Sequence, residues 1–379
     1  MSYVCGVGLT PYGRLDGQDT LDLMSRAAAD ALADAALARA DIDGLVCGYS
    51  TVLPHIMLAT LFAEHFGVQP AYAHAIQMGG ATGFGMVMLA HELVEAGVAR
   101  RVLVVGGENR MTGQSRDASI RTLAQAGHAT YEVPLGPTIP AYYGLVASRY
   151  MHEHGNTEAD FAQLAVLMRA HAARHPGAQF REPITVDQVL ASRTIAAPLK
   201  MLDCCPVSDG GCAVVVSREP IGPHPVRLAA ATQHHNAQHV SAMPSLTRFG
   251  ADRCAGRALE RARRTMADVE LAAVYDSFTI TLAILLEELG LAPRGRSGTW
   301  AADGHFGRDG AMPLNLHGGL LSYGHCGVAG AMAHLVETHL QMTGRAADRQ
   351  VRKAGVALLH GDGGVLSSHV SLVMEAVDA

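Results

Sequence analysis

A layered α/β fold built from two similar halves is what this sequence predicts, and three observations carry that reading. Short apolar runs suited to buried strands alternate with longer runs at helical spacing. The composition, 49% hydrophobic with 41 glycines and only 17% charged residues over 379 positions, suits a densely packed α/β body. The order of elements also repeats. A helix, Ala-Asp-Ile-Asp and Gly-Leu-Val-Cys-Gly-Tyr-Ser (44–50) are echoed by a helix, Met-Ala-Asp-Val-Glu and Leu-Ala-Ala-Val-Tyr-Asp-Ser-Phe (271–278). Gly79-Gly80-Ala81-Thr82-Gly83, a helix and the strand 101–107 are echoed by Cys326-Gly327-Val328-Ala329-Gly330, a helix and the strand 356–361. A pseudo-twofold between such halves, expected at 1–217 and 218–379, brings both Gly-rich helix starts to one cleft.

Taken in order, 3–8 reads as a strand and 20–39 as a helix with Leu21, Ala28, Ala31, Leu32 and Ala35 at helical spacing. Residues 44–50 read as a buried strand, 57–66 as a short helix, and 71–77 as a strand stopping at Met78-Gly79-Gly80. The apolar stretch 81–96 is a helix ended by Gly97, and Arg-Val-Leu-Val-Val-Gly-Gly (101–107) is the clearest buried strand. The rhythm then breaks. The region 108–156 is rich in Gly, Pro, Thr and Tyr and too long for an ordinary connection, so it predicts a loop insertion that covers substrate. Thr157 caps a helix running to about His175, 183–202 reads as irregular, and 212–217 as a strand. A last apolar helix spans Val328 to about Met342.

The charge of −6 argues against nucleic acid as a partner. No run is long enough for a membrane span, and Met1-Ser2-Tyr3 leads straight into a strand, so a cytoplasmic protein is expected. The seven cysteines (5, 47, 204, 205, 212, 254 and 326) contain no C-x-x-C pair, which argues against a disulfide framework or a zinc site. His234 and His235 are adjacent, point apart on a strand and make a poor metal pair.

Chemistry-bearing residues concentrate in Asn315-Leu316-His317-Gly318-Gly319-Leu320-Leu321-Ser322-Tyr323-Gly324-His325-Cys326-Gly327. Tyr323, His325 and Cys326 there meet exposed backbone donors at a helix start. Cys326, beside His325 at that start, is either a thiol of lowered pKa or a small packed residue; packing is the favoured reading. Cys204 and Cys205 read as structural, Asp276 as a group orienting loop backbone, and Gly361-Asp362-Gly363-Gly364 as a turn offering backbone donors.

This arrangement resembles the thiolase fold over nearly the whole chain, and most closely its sterol-carrier and lipid-transfer branch. The resemblance implies five layers, α-β-α-β-α. Thiolases carry a nucleophilic Cys as Cys-Ala-x-Gly; the matching run is Gly80-Ala81-Thr82-Gly83, so Gly80 stands in the nucleophile's place. The family's Gly-His-Pro turn becomes Gly324-His325-Cys326, and its late Cys before a Gly-Gly run becomes His360. The Asn-Glu-Ala-Phe or His-Asp-Cys-Phe run becomes Tyr275-Asp276-Ser277-Phe278. Tyr-Asp-x-Phe-Thr followed by Leu-Glu-Glu-Leu-Gly is similar to the steroid side-chain aldolases of that branch.

A glycine cannot take up an acyl group, so the resemblance implies retro-aldol cleavage of a β-hydroxyacyl-CoA, with a CoA thioester as substrate and no bound cofactor or metal. Tyr323 or Tyr275 would be the base, provided its pKa falls below the ordinary ~10. His325 would donate to the enolate oxygen, helped by backbone at Gly80 and Gly364, with Gly318, Gly319 and Gly363 lining the same groove. His360 either acts as an acid/base or packs. Arg149, Arg169, Arg174 and Lys200 are candidate contacts for CoA phosphates, with surface solvation the favoured role of each. The alternatives are an acyltransferase using Cys326 or a partner's residue, and a non-catalytic acyl-CoA-binding or scaffold subunit. A homodimer and a small zinc-ribbon/OB-fold partner complete the expectation.

Overall fold

The computed structural model describes residues 1–377. The first half runs β1 (Ser2–Leu9), α1 (Thr20–Asp34), β2 (Gly44–Gly48), α2 (Leu58–Phe66), β3 (Tyr72–Ile76), α3 (Thr82–Glu95) and β4 (Arg101–Asn109). Next come α4 (Arg116–Ala124), α5 (Ile139–His154), α6 (Glu158–Ala172), α7 (Val186–Ala191), a small hairpin of β5 (Thr194–Ala196) and β6 (Leu199–Lys200), and β7 (Asp209–Ser217). The second half runs β8 (Val226–His235), α8 (Ala251–Ala262), β9 (Leu271–Val274), α9 (Thr279–Glu288), α10 (Ser297–Ala302), α11 (Val328–Met342), β10 (Val356–Gly363) and β11 (Ser368–Ala376).

Nine of these strands form one sheet in the order β3-β2-β4-β7-β1-β8-β11-β10-β9. The repeat read from the sequence is visible in the pairing. β2 and β4 are parallel, as are β9 and β10, while β4–β7–β1 and β10–β11–β8 are antiparallel runs. β1 pairs antiparallel with β8, and this joins the halves. The valine-rich centre of β4 has the β-branched composition that a strand buried on both faces requires.

Helices α3 and α11 pack on each other and touch strands of both halves, so they form the central layer. They approach closely because Gly83 has no side chain; a Cβ there would stand 2.8 Å from the Val328 carbonyl oxygen. Helices α1 and α2 cover the outer side of the first half over Met24, Ala27, Ala31, Phe62, Leu103 and Val105, and α8 lies on β8 and β11. The layers are therefore α-β-α-β-α.

Three stretches differ from the expectation. The insertion at 108–156 holds two helices, and α5 buries Tyr142, Tyr143, Val146, Ala147 and Tyr150. Pro140 lies in its first turn, where a missing N–H costs nothing, and Gly155 ends it with φ 72°. Residues 183–202 hold α7 and the hairpin; Thr185 and Gln188 cap α7 reciprocally at 2.8 and 3.3 Å. Helix α1 ends at Asp34, short of Arg39, and Ala36 takes φ 55°.

Candidate active site

Tyr275 leaves the end of β9 with its N–H on the His360 carbonyl (2.9 Å), beside β10. Its hydroxyl comes to rest 3.0 Å from His325 Nε2, with the two rings edge to face. It also fills the space above Gly80: a Cβ at position 80 would overlap the Tyr275 hydroxyl and stand 2.5 Å from the Asp362 carbonyl oxygen. Gly79, beside it, faces the Gly364 N–H, which lies 3.0 Å from where its own Cβ would be. Gly80, Gly363 and Gly364 thus meet where α3 begins.

His325 is held at three atoms. Its N–H donates to Ser208 Oγ (2.9 Å), its carbonyl accepts from the Ser208 N–H (3.0 Å), and its Nδ1 accepts from the Gly327 N–H (3.2 Å). With Nδ1 accepting, the neutral ring carries its proton on Nε2 and donates it to the Tyr275 oxygen. Burial, with the nearby Arg110 charge, pushes the imidazole down to about 3, so it is neutral at physiological pH. Burial also holds the Tyr275 hydroxyl well above its ordinary range; Cys205, Asp362 and Tyr49 add to this, and Arg110 opposes it. The expectation of a tyrosine with lowered pKa is therefore reversed.

Models for the thiolase N-terminal domain and the thiolase C-terminal domain-like family match residues 2–220 and 232–376. The chain belongs to the thiolase family. It is 30% identical to acetyl-CoA acetyltransferase of Methanothermobacter thermautotrophicus, over 97% of this chain and 98% of that one. It is 34% identical to 17-hydroxy-3-oxo-4-pregnene-20-carboxyl-CoA lyase of Mycobacterium tuberculosis, over 84% and 86%. A solved structure described as Ltp2-ChsH2(DUF35) aldolase matches with a TM-score of 0.87 and 28% identity, covering 99% of this chain and 97% of that one.

Other residues singled out in the sequence lie elsewhere. Tyr323 donates its hydroxyl to the Thr10 carbonyl (3.1 Å), among the rings of Tyr12, His175 and His317. It points away from His325 because it ends a π-turn, Gly319–Tyr323, whose N–H groups at Leu320 and Leu321 are held by the buried Asp276 at 2.7 and 3.4 Å. Gly318 and Gly319 serve that turn, one against Ala172 and the other against Asp276. His360 is buried between strands, with Ser371 Oγ at 2.8 Å and His369 Nδ1 at 3.1 Å. Cys326 is fully buried, and burial raises its thiol, the reverse of the activation a helix start suggested. Arg149 pairs with Glu153, Lys200 with Glu158, and Arg169 with Ser322 and the Glu182 carbonyl; Arg174 is exposed. His234 and His235 stand opposite His369 and Ser368, and no described group of three His, Cys, Asp or Glu residues has metal-binding geometry.

Two nearby residues, Glu108 and Arg110, escaped the sequence reading, and a third, Cys205, was read only as structural. Glu108, buried at the end of β4, accepts from Ser50 Oγ (3.0 Å) and Thr51 Oγ1 (2.8 Å), and packs against Gly327. It ties the loop after β2 to the turn before α11. Arg110 follows it, and Cys205 approaches Tyr275 from the segment before β7. The available signal was position: Glu108-Asn109-Arg110 sits at the carboxyl end of the clearest buried strand, where α/β proteins place their sites.

Proposed function

We propose that this chain is a carbon–carbon lyase that cleaves a β-hydroxyacyl-CoA by a retro-aldol step, without an acyl-enzyme. One observation carries the reading: the Tyr275 hydroxyl stands where a side chain at Gly80 would be, backed by His325 Nε2–H. A lyase of this kind needs only one proton-transfer group. The Tyr275 phenolate takes the proton of the β-hydroxyl as the bond between Cα and Cβ breaks. The carbonyl product forms, and the electron pair passes to the thioester enolate. Tyr275 then returns the same proton to Cα, which regenerates the phenolate and releases a shortened acyl-CoA. His325 Nε2–H supports the phenolate, and the backbone near Gly79, Gly80 and Gly364 supplies donors for the enolate oxygen.

The similarity to a CoA-thioester lyase and to an aldolase structure supports this reading. The acetyltransferase relative favours acyl transfer, for which Cys326 is this chain's candidate, but a fully buried thiol raised by burial is a poor nucleophile. The two names joined in the aldolase structure support a partner subunit, for which a zinc-ribbon/OB-fold protein is proposed. A homodimer is proposed through β3, an edge strand exposed at His74 and Ala75. A cytoplasmic location belongs to the same proposal; no described helix is long and apolar enough to cross a membrane. The test is release of aldehyde or ketone from a β-hydroxyacyl-CoA, partner included. Tyr275→Phe is expected to lower kcat by about 10² to 10⁴, and turnover unchanged in that variant overturns the reading.

A further inference from the structure

The lyase reading asks the Tyr275 oxygen to carry negative charge in a buried setting, and one cation is placed to support it. Asn109, the last residue of β4, is paired with Asp209 on β7. This puts Arg110 level with Ser208, the residue that grips His325 from both sides. The loop is fixed there, because Asp209 Oδ1 accepts from the N–H groups of Met111 (2.7 Å) and Thr112 (3.1 Å). Among the described residues the Arg110 guanidinium has no carboxylate partner. Its Nε is buried without a hydrogen bond, and its Nη2 has only Ser119 Oγ at 3.4 Å. Arg349, by contrast, is paired with Glu337 at 3.0 Å and Arg345 with Asp34 at 2.5 Å. A guanidinium left this open beside a proton-transfer group is complementary to negative charge that appears only during reaction.

We propose that Arg110 is a positioning residue that, together with His325, holds the negative charge of the Tyr275 phenolate during C–C cleavage. The proposal rests on the lyase reading. The charged and titratable groups whose fields reach Tyr275 include Tyr49 after β2, Arg110 after β4, Tyr143 from α5, Cys205 before β7 and Asp362 on β10, with His325 before α11 in hydrogen-bond contact. Burial shifts each of the other five towards its neutral form. It pushes Tyr49 and Cys205 up to about 12, raises Tyr143 and Asp362 well above their ordinary values, and lowers His325 to about 3. Arg110 is the cation of this group, and its removal raises the pH at which Tyr275 ionises.

The test uses Arg110→Met, Arg110→Gln and Arg110→Lys in the full chain with its partner. In Arg110→Met the rising limb of kcat against pH moves up by about one unit, so kcat at neutral pH falls about tenfold with KM kept. Arg110→Lys keeps the limb in place. A limb that does not move in a variant of native melting temperature overturns the proposal, and so does a loss confined to KM. A second measurement needs no turnover. Phenolate absorbance of the chain minus that of the same chain carrying Tyr275→Phe reports Tyr275 alone, and its onset shifts to higher pH in Arg110→Gln. An unshifted onset refutes the role of Arg110 whether or not the chain proves to be a lyase, and absence of lyase turnover with a shifted onset refutes only the lyase reading.

Discussion

Tyr275 and Tyr323 are both buried phenols beside glycine-rich turns in the second half, yet their hydroxyls face different surroundings. Tyr323 donates to the Thr10 carbonyl, so its proton is already committed to holding β1 against the π-turn. Tyr275 receives a hydrogen bond from His325, keeps its own proton uncommitted, and faces a position without a side chain. The difference shows that burial and residue type do not make a catalytic tyrosine. What matters is whether the oxygen accepts from a neighbour and keeps its own proton free to be lost, so that the phenolate can take the proton of substrate.

That contrast can be attacked from several sides. The largest effect expected is on acid stability, and it belongs to the Tyr323 side. Burial lowers His171 to about 4, His175 to about 3 and His317 well below its ordinary value. The folded pKa lies below the unfolded one, so the unfolded chain binds more protons. Stability is whole above about pH 6.5 and is lost as pH falls from there towards the folded values. Each group contributes at most about 1.4 kcal/mol per pH unit, so urea midpoints should fall steeply between about pH 6 and about pH 4. A flat profile there contradicts the buried imidazole cluster.

Next comes Gly80→Ala, whose methyl group occupies the place of the Tyr275 hydroxyl. We expect kcat to fall about 100-fold with the fold retained, read by turnover and circular dichroism. Wild-type activity in this variant would mean the hydroxyl is needed elsewhere. Third, because burial holds the Tyr275 hydroxyl well above its ordinary range, its phenolate is a minority species at neutral pH. The rate should therefore climb about tenfold per pH unit from about pH 7 towards about pH 9. A rate falling over that range assigns Tyr275 the role of an acid. The smallest effect is that of Tyr323→Phe. It removes one hydrogen bond to Thr10, for about 1 kcal/mol of stability in denaturant, and leaves kcat within about twofold.

The sequence made much of this visible. The repeat located both helix starts, and the motif match put Tyr275, His325 and Gly80 in a common groove, because each lies within a short run whose order survives in this chain. The direction of Tyr323 was not legible, since it depends on Asp276, 47 positions earlier, gripping the π-turn. Arg110 was hidden, and Cys205 read only as structural, for a similar reason: they reach Tyr275 from other segments, and no local spacing records that convergence. The helix α5 was masked by Pro140 and Gly155, although Tyr142, Val146 and Tyr150 already stand four apart on one face.

A retro-aldol lyase of this kind never holds an acyl group on the chain. Intact-mass spectrometry of protein quenched in acid during turnover of a β-hydroxyacyl-CoA, partner present, tests it most directly. The predicted result is an unmodified mass while the carbonyl product accumulates. An acyl adduct that maps to Cys326 or Cys205 and forms as fast as product would contradict it.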